Sequence, residues 1–150
     1  MTAVSTYVPA IVLLPFVSFV VALFARENLP KGGAYSGIAA TAGSLVLSLA
    51  TLAAVYGGTT VNETYYQWAA GVGAQDWTLT FGALIDPLSA LMLVIVSLIA
   101  LLVHVFSLGY MNDEGEDDLP RYYAGLGLFT ASMLGFVVAD NLLMAFMFFE

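Results

Sequence analysis

The sequence predicts an all-α polytopic membrane protein: four complete transmembrane helices, the start of a fifth, and a small β-hairpin in the loop between helices 2 and 3. Three observations carry that reading. Hydrophobic residues make up 61% of the chain and charged residues only 9%, with a mean hydropathy of +0.92. A soluble globular domain has about 25% charged residues. The charged residues fall between apolar stretches, most of them long enough to cross a hydrocarbon core about 30 Å thick. Between the second and third stretches, Trp77-Thr78-Leu79-Thr80-Phe81 alternates with period two in β-branched and aromatic residues, which predicts a strand.

The first helix is expected over residues 7–25, apolar apart from Ser18, with Pro9 and Pro15 inside it. Proline removes a backbone donor and bends a helix. The segment is not a signal peptide, because no positive residue precedes it and no soluble domain follows a small-residue cleavage site. The second helix is expected over residues 35–56 and is rich in Gly, Ala and Ser. In lipid such residues let helices approach closely, which predicts an interior helix. Residues 57–85 form the outer loop, with Tyr65-Tyr66-Gln67-Trp68 as partner strand and a turn across residues 71–76. Its aromatics suit the membrane interface.

The third helix is expected over residues 88–110. Asp86 is its N-cap and Pro87 its first residue. At 1.5 Å per residue it is about 34 Å long, enough to cross with some tilt. An acidic loop follows. The fourth helix is expected over residues 122–139, after Pro120-Arg121. Asp140-Asn141 then starts a fifth, over residues 141–150, because both side chains can cap free backbone N–H groups. These pieces are read as the N-terminal part of one transmembrane domain spanning residues 1–150.

Composition excludes much chemistry. There is no Cys, hence no disulfide, iron–sulfur ligation or thiol chemistry. One His makes a His-based metal site improbable, and Gly71-Val72-Gly73 is too short for a phosphate loop. No metal or cofactor site is expected in this chain. A net charge of −8 argues against nucleic acid as a partner. The run Asp113-Glu114-Gly115-Glu116-Asp117-Asp118 reads as a solvated loop rather than a metal site. The near absence of Lys resembles the composition of proteins from a salt-rich cytoplasm, as in halophilic archaea. The basic residues Arg26, Lys31 and Arg121 assign loops one and three to the cytoplasm, and the N-terminus and hairpin to the outside, of a multi-pass cell-membrane protein.

Glu150 is the leading candidate for chemistry. The roughly nine residues from Asn141 to Glu150 rise about 14 Å, close to the midplane of the hydrocarbon core. An ionisable group there is costly and is by default functional, often in proton transfer. Desolvation disfavours its ionised form, so its pKa should be raised. The structural alternative is a Glu hydrogen-bonded to a neighbouring helix. A helix broken off at this depth also implies that the chain is the front part of a longer protein. His104 shares a face with Ser97 and Ser107 in helix 3 and is a candidate proton relay, or a residue that only pairs with a backbone carbonyl. Asp86 and Asp140 are read as structural caps.

The third to fifth segments resemble the proton-pumping L subunit of respiratory complex I (NADH-quinone oxidoreductase), an antiporter-like subunit of its membrane arm. The matching stretches are Asp86-Pro87-Leu88-Ser89, Leu102-Val103-His104, Gly109-Tyr110-Met111, Arg121-Tyr122-Tyr123, Phe129-Thr130-Ala131-Ser132-Met133 and Ala139-Asp140-Asn141-Leu142-Leu143, followed by Phe149-Glu150. Their order and spacing are together specific, and cover residues 81–150. Residues 1–80 match in architecture only. The resemblance implies that Glu150 is the family's fifth-helix glutamate, implicated in proton transfer. The family's key lysines lie on later helices, which this chain does not contain.

The resemblance further implies proton translocation coupled to electron transfer in a complex I-like donor:quinone oxidoreductase. Quinone and NADH, or another donor, would be bound by other subunits. The partners would be other antiporter-like and membrane-arm subunits and the lipid bilayer. Two alternatives share the module: a subunit of a multisubunit Na+/H+ antiporter, and a membrane subunit of an energy-converting hydrogenase. A purely structural membrane scaffold is the alternative of a different class, and a midplane carboxylate argues against it.

Overall fold

A computed structural model describes residues 3–24, 30–72, 77–111 and 119–150. Arg26 and the acidic run at 113–118 lie outside the described residues. Five helices and one hairpin follow in chain order: α1 (Ala3–Phe24), a 3-10 turn (Pro30–Gly33), α2 (Ala34–Val55), β1 (Val61–Val72), β2 (Trp77–Ile85), α3 (Pro87–Tyr110), α4 (Leu119–Val138) and α5 (Leu142–Phe149).

The structure is mostly helical, with a small two-stranded antiparallel sheet. Three helices among the described residues are long and apolar enough to cross a membrane, at residues 6–24, 31–55 and 87–110, with mean hydropathies of 2.4, 2.0 and 2.8. The expectation of four complete spans therefore exceeds what the chain displays. α4 has 20 residues, but Arg121, Tyr122, Tyr123, Gly125 and Gly127 dilute its apolar character.

The bundle is closed by small residues. α1 packs on both α2 and α4, and α2 packs on α3. The buried positions of α2 are Ala34, Gly37, Thr41, Ser44, Ser48, Thr51 and Val55. They recur every three or four residues, the seam spacing of supercoiled helices. All but Val55 are small or carry a hydroxyl, so the helix backbones approach closely. Three of the four hydroxyls are satisfied within α2: Thr41 donates to the Gly37 carbonyl at 2.8 Å, Ser48 to Ser44 at 2.7 Å and Thr51 to Leu47 at 2.9 Å. Gly127 of α4 performs the same role against α1. A Cβ there would stand 3.2 Å from the Phe19 nitrogen and 3.2 Å from the Pro15 oxygen.

α1 runs through both prolines without a break. Pro15 has no N–H, so the carbonyl of Ile11 loses its helical donor. Ser44 of α2 donates its hydroxyl to that oxygen at 2.9 Å. A helix defect in α1 is thus repaired by α2.

The hairpin is longer than the strands read from the sequence. Pairing extends from Val61–Ile85 through Val72–Trp77, with irregularities after Thr64, Gln67 and Ala69. The flanks Gly82-Ala83 and Ala69-Ala70-Gly71 lack β-branched alternation, so only the central segments were legible as strands. At its base, Ala83 and Ile85 are buried and join Val8, Val55, Leu93, Leu134 and Val138 in the core. The hairpin therefore plugs one end of the bundle. Gly32 packs on Leu119 at another point, bringing the α1–α2 connection, and with it Lys31, to the start of α4, which carries Arg121.

Candidate functional site

α5 begins where Asn141, in extended conformation, accepts the Met144 N–H on its side-chain oxygen at 2.8 Å. Its own carbonyl accepts the Ala145 N–H at 3.0 Å. Asn141 is thus the N-cap of α5, and not Asp140, which stands one residue too early for its carboxylate to serve the first turn. α5 is rotationally fixed against α4. A Cβ on Gly135 would meet the Phe148 ring at 2.5 Å, and Phe136 and Phe149 stack at a tilt with centroids 6.2 Å apart. Met144 faces the buried side.

Glu150 follows the last turn, its N–H bonded to the Phe146 carbonyl at 3.0 Å. It is exposed and opens onto a cavity of about 360 Å³ between the hairpin and α5. Trp68, Leu79, Thr80 and Phe81 form the hairpin wall, and Asn141, Leu143, Met144, Phe146 and Met147 the helix wall. Trp68 meets Phe81 edge-on, with centroids 6.4 Å apart. Among the described residues, Glu150 is the one charged group on this lining.

Asp140 has a different set of partners from those of a cap. Its Oδ2 accepts the Thr80 hydroxyl from β2 at 3.0 Å, and its Oδ1 accepts the Asn141 side-chain N–H at 2.6 Å. Asn141 Nδ2 also donates to the Thr80 carbonyl at 2.6 Å. Backbone pairing of Ala83 with Ala139 runs alongside. Thr80 and Gly82 were not singled out in the sequence. Gly82 carried a signal, since a glycine inside a strand often marks a close backbone approach. Thr80 carried none, because its partner is 60 residues away.

Asp86 caps α3. Its carboxylate accepts the Ser89 N–H at 2.6 Å, and Pro87 takes the first helical position. The Ser89 backbone, and then its hydroxyl, hold the Asp86 carboxyl below the usual carboxylate range. In the hairpin, partial burial and then the nearby Glu63 charge push the Tyr65 phenol above its ordinary value.

His104 is fully buried on the face of α3 that also holds Ser97 and Ser107. Its Nδ1 lies 2.8 Å from the Ala100 carbonyl, one turn back, so a proton on Nδ1 is donated there. Nε2 is buried and has no hydrogen-bond partner among the described residues. The ring edge abuts α2 at Gly37, where a Cβ would fall 2.6 Å from Cδ2 and 2.9 Å from Nε2. Ser97 donates to the Leu93 carbonyl at 2.7 Å, and Ser107 and Tyr122 share a hydrogen bond at 2.8 Å. His104 does not line the Glu150 cavity. The two groups belong to separate parts of the bundle. No group of three metal-ligating side chains occurs among the described residues.

The family model described as NADH-Ubiquinone oxidoreductase (complex I), chain 5 N-terminus, matches residues 68–123, from the hairpin to the first turns of α4. Subunit L of F(420)H(2) dehydrogenase from Methanosarcina mazei is 39% identical over 99% of this chain and 21% of its own length. Chloroplastic NAD(P)H-quinone oxidoreductase subunit 5 from Zygnema circumcarinatum is 33% identical over 100% of this chain and 22% of its own length. The corresponding protein of Anthoceros angustus is 45% identical over 59% of this chain and 12% of its own length. The chain spans about a fifth of the length of the first two of these relatives. The chain belongs to the family of complex I chain 5, in which its relatives are subunits named L or 5 of quinone-linked and F(420)H(2)-linked dehydrogenases.

Proposed function

We propose that this chain is part of a proton-translocating membrane-arm subunit of a complex I-like donor:quinone oxidoreductase, and that Glu150 is its proton-exchanging group. The observation that carries the proposal is Glu150 itself. Among the described residues it is the sole charged one on a largely apolar cavity, about 14 Å along a capped helix. Three helices suited to crossing a membrane support the setting, and the relatives' names supply the redox context. We take α4 as a fourth crossing, with its Arg121 end in the cytoplasm beside Lys31 and the hairpin outside.

In a low-dielectric site a carboxylate is stable only when paired with a cation or protonated. Alternation between those two conditions takes up a proton from one side and releases it to the other. A lysine on a helix beyond this chain would supply the cation. Redox chemistry belongs to other subunits, which would bind the quinone and NADH or another donor. Within this chain the residues position a carboxyl, set a largely apolar wall beside it and hold its helix. His104, with one ring nitrogen committed to the Ala100 carbonyl, tunes the α2–α3 contact rather than carrying the proton.

The test uses the intact complex, purified through this subunit and reconstituted in liposomes. Quinone reduction should drive proton movement in proportion to electrons transferred, with no requirement for Na+. Proton movement that depends on a Na+ gradient and ignores quinone reduction would contradict the proposal and favour an antiporter.

A further inference from the structure

We infer that Asp140 and Thr80 form a clasp that fixes the hairpin over α5, and that this clasp positions Glu150 and covers it on the hairpin side. The inference rests on the reading of Glu150 as the proton-exchanging group. It assigns Asp140 a role that capping does not explain, because Asn141 already caps the helix.

An unbroken chain of hydrogen bonds runs from the strand into the helix. The Thr80 hydroxyl donates to Asp140 Oδ2 at 3.0 Å, Asn141 Nδ2 donates to Asp140 Oδ1 at 2.6 Å, and Asn141 Oδ1 accepts the Met144 N–H at 2.8 Å. A second link from Asn141 Nδ2 reaches the Thr80 carbonyl at 2.6 Å. Both Asp140 oxygens are engaged, one by the hairpin and one by the cap. The carboxylate packs against β2 at Gly82, where a Cβ would collide with Oδ2 and stand 2.8 Å from the Glu63 carbonyl. Only glycine admits the clasp at that point.

The clasp and Glu150 stand at opposite ends of one cavity. Thr80 and Asn141 line it at the start of α5 and Glu150 at the end, with Trp68 and Phe81 as the hairpin wall. Releasing Thr80 from Asp140 would let that wall lift. The carboxyl would then lose the wall that covers it on the hairpin side, and water and solutes would reach it from that side as well. The negative charge of Asp140 also sits favourably beside the α5 N-terminus. Asp140 and Thr80 are therefore positioning residues.

The experiment uses the full-length protein in its complex, in liposomes. It reads protons moved per electron, and the rate at which a water-soluble carbodiimide modifies Glu150, followed by peptide mass spectrometry. Thr80→Val and Asp140→Ala should each assemble, reduce quinone, lose proton yield by about tenfold and label Glu150 several-fold faster. The double variant should be no worse than either single one, because both remove the same bond. Thr80→Ser and Asp140→Asn, which keep a donor and an acceptor, should restore most of the yield. Wild-type yield and labelling in Thr80→Val and Asp140→Ala, with Glu150→Gln inactive, would overturn the clasp and leave Glu150 standing. Normal pumping by Glu150→Gln would overturn the reading of Glu150 instead, while the labelling rate still decides whether the clasp guards it. Failure of Thr80→Val to assemble while Thr80→Ser assembles would make the bond a folding contact and overturn the positioning role.

Discussion

Ser44 of α2 supplies the hydrogen bond that Pro15 cannot. Its hydroxyl donates to the Ile11 carbonyl at 2.9 Å, the oxygen a helical residue at position 15 would have served. Both Ser44 and Ile11 are fully buried. Ser44→Ala should therefore destabilise the full-length protein by about 1–2 kcal/mol, because the carbonyl is left without a donor. Pro15→Ala restores an N–H at that position. The double variant should recover most of the loss, and unfolding of each variant in mixed detergent micelles gives the comparison. Additive losses would show that the two residues do not share one carbonyl.

Gly37 and His104 form the second close contact of α2. Gly37→Ala forces a methyl against the imidazole and should cost about 1–3 kcal/mol. His104→Ala in the same chain should relieve much of it. His104→Ala alone should lower proton pumping only in part, since Ser97 and Ser107 bond to the backbone carbonyl of Leu93 and to Tyr122 without it. Complete loss of pumping in a normally assembled complex would make His104 a relay.

Asp86 gives the start of α3 a pH dependence of known sign. Its folded-state pKa lies below the ordinary 3.8, because the ionised form accepts the Ser89 N–H. The cap's contribution is full above the unfolded pKa and fades as pH falls through the folded one. Amide exchange at Ser89 should accelerate over that acid range, after correction for its intrinsic pH dependence. Asp86→Asn keeps an acceptor at the N-cap, so its cap should stay pH-independent there.

Single cysteines at Asn62 and Glu116 of the full-length protein test the orientation. An impermeant thiol reagent added from outside should label the first and spare the second. The reverse pattern would invert the assignment from Lys31 and Arg121.

Local chemistry was legible in the sequence, and long-range chemistry was not. Asp86-Pro87 announced the start of α3 because cap and first residue are neighbours. The small residues of α2 announced a packed helix. The Ser44–Ile11 bond was hidden, since nothing at position 44 reveals that a proline on another helix has orphaned a carbonyl. In the sequence Asp140 reads as a cap because Asp and Asn are interchangeable there by type. Only the fold decides that Asn141 faces the helix while Asp140 faces Thr80. Depth, charge and the family resemblance single out Glu150 as a candidate in the sequence, but the cavity beside it depends on the hairpin wall, which no spacing within α5 could announce.

The role of Glu150 is tested most directly by protons moved per electron in reconstituted complexes carrying wild-type, Glu150→Asp and Glu150→Gln subunits. Gln keeps the shape and much of the hydrogen bonding but cannot exchange a proton. Asp keeps the acid but retracts it by one methylene. All three should assemble, and the yield should fall from wild type to Asp to Gln, with Gln near zero. A Gln variant that pumps as well as wild type would contradict proton exchange at Glu150 and leave this chain a scaffold.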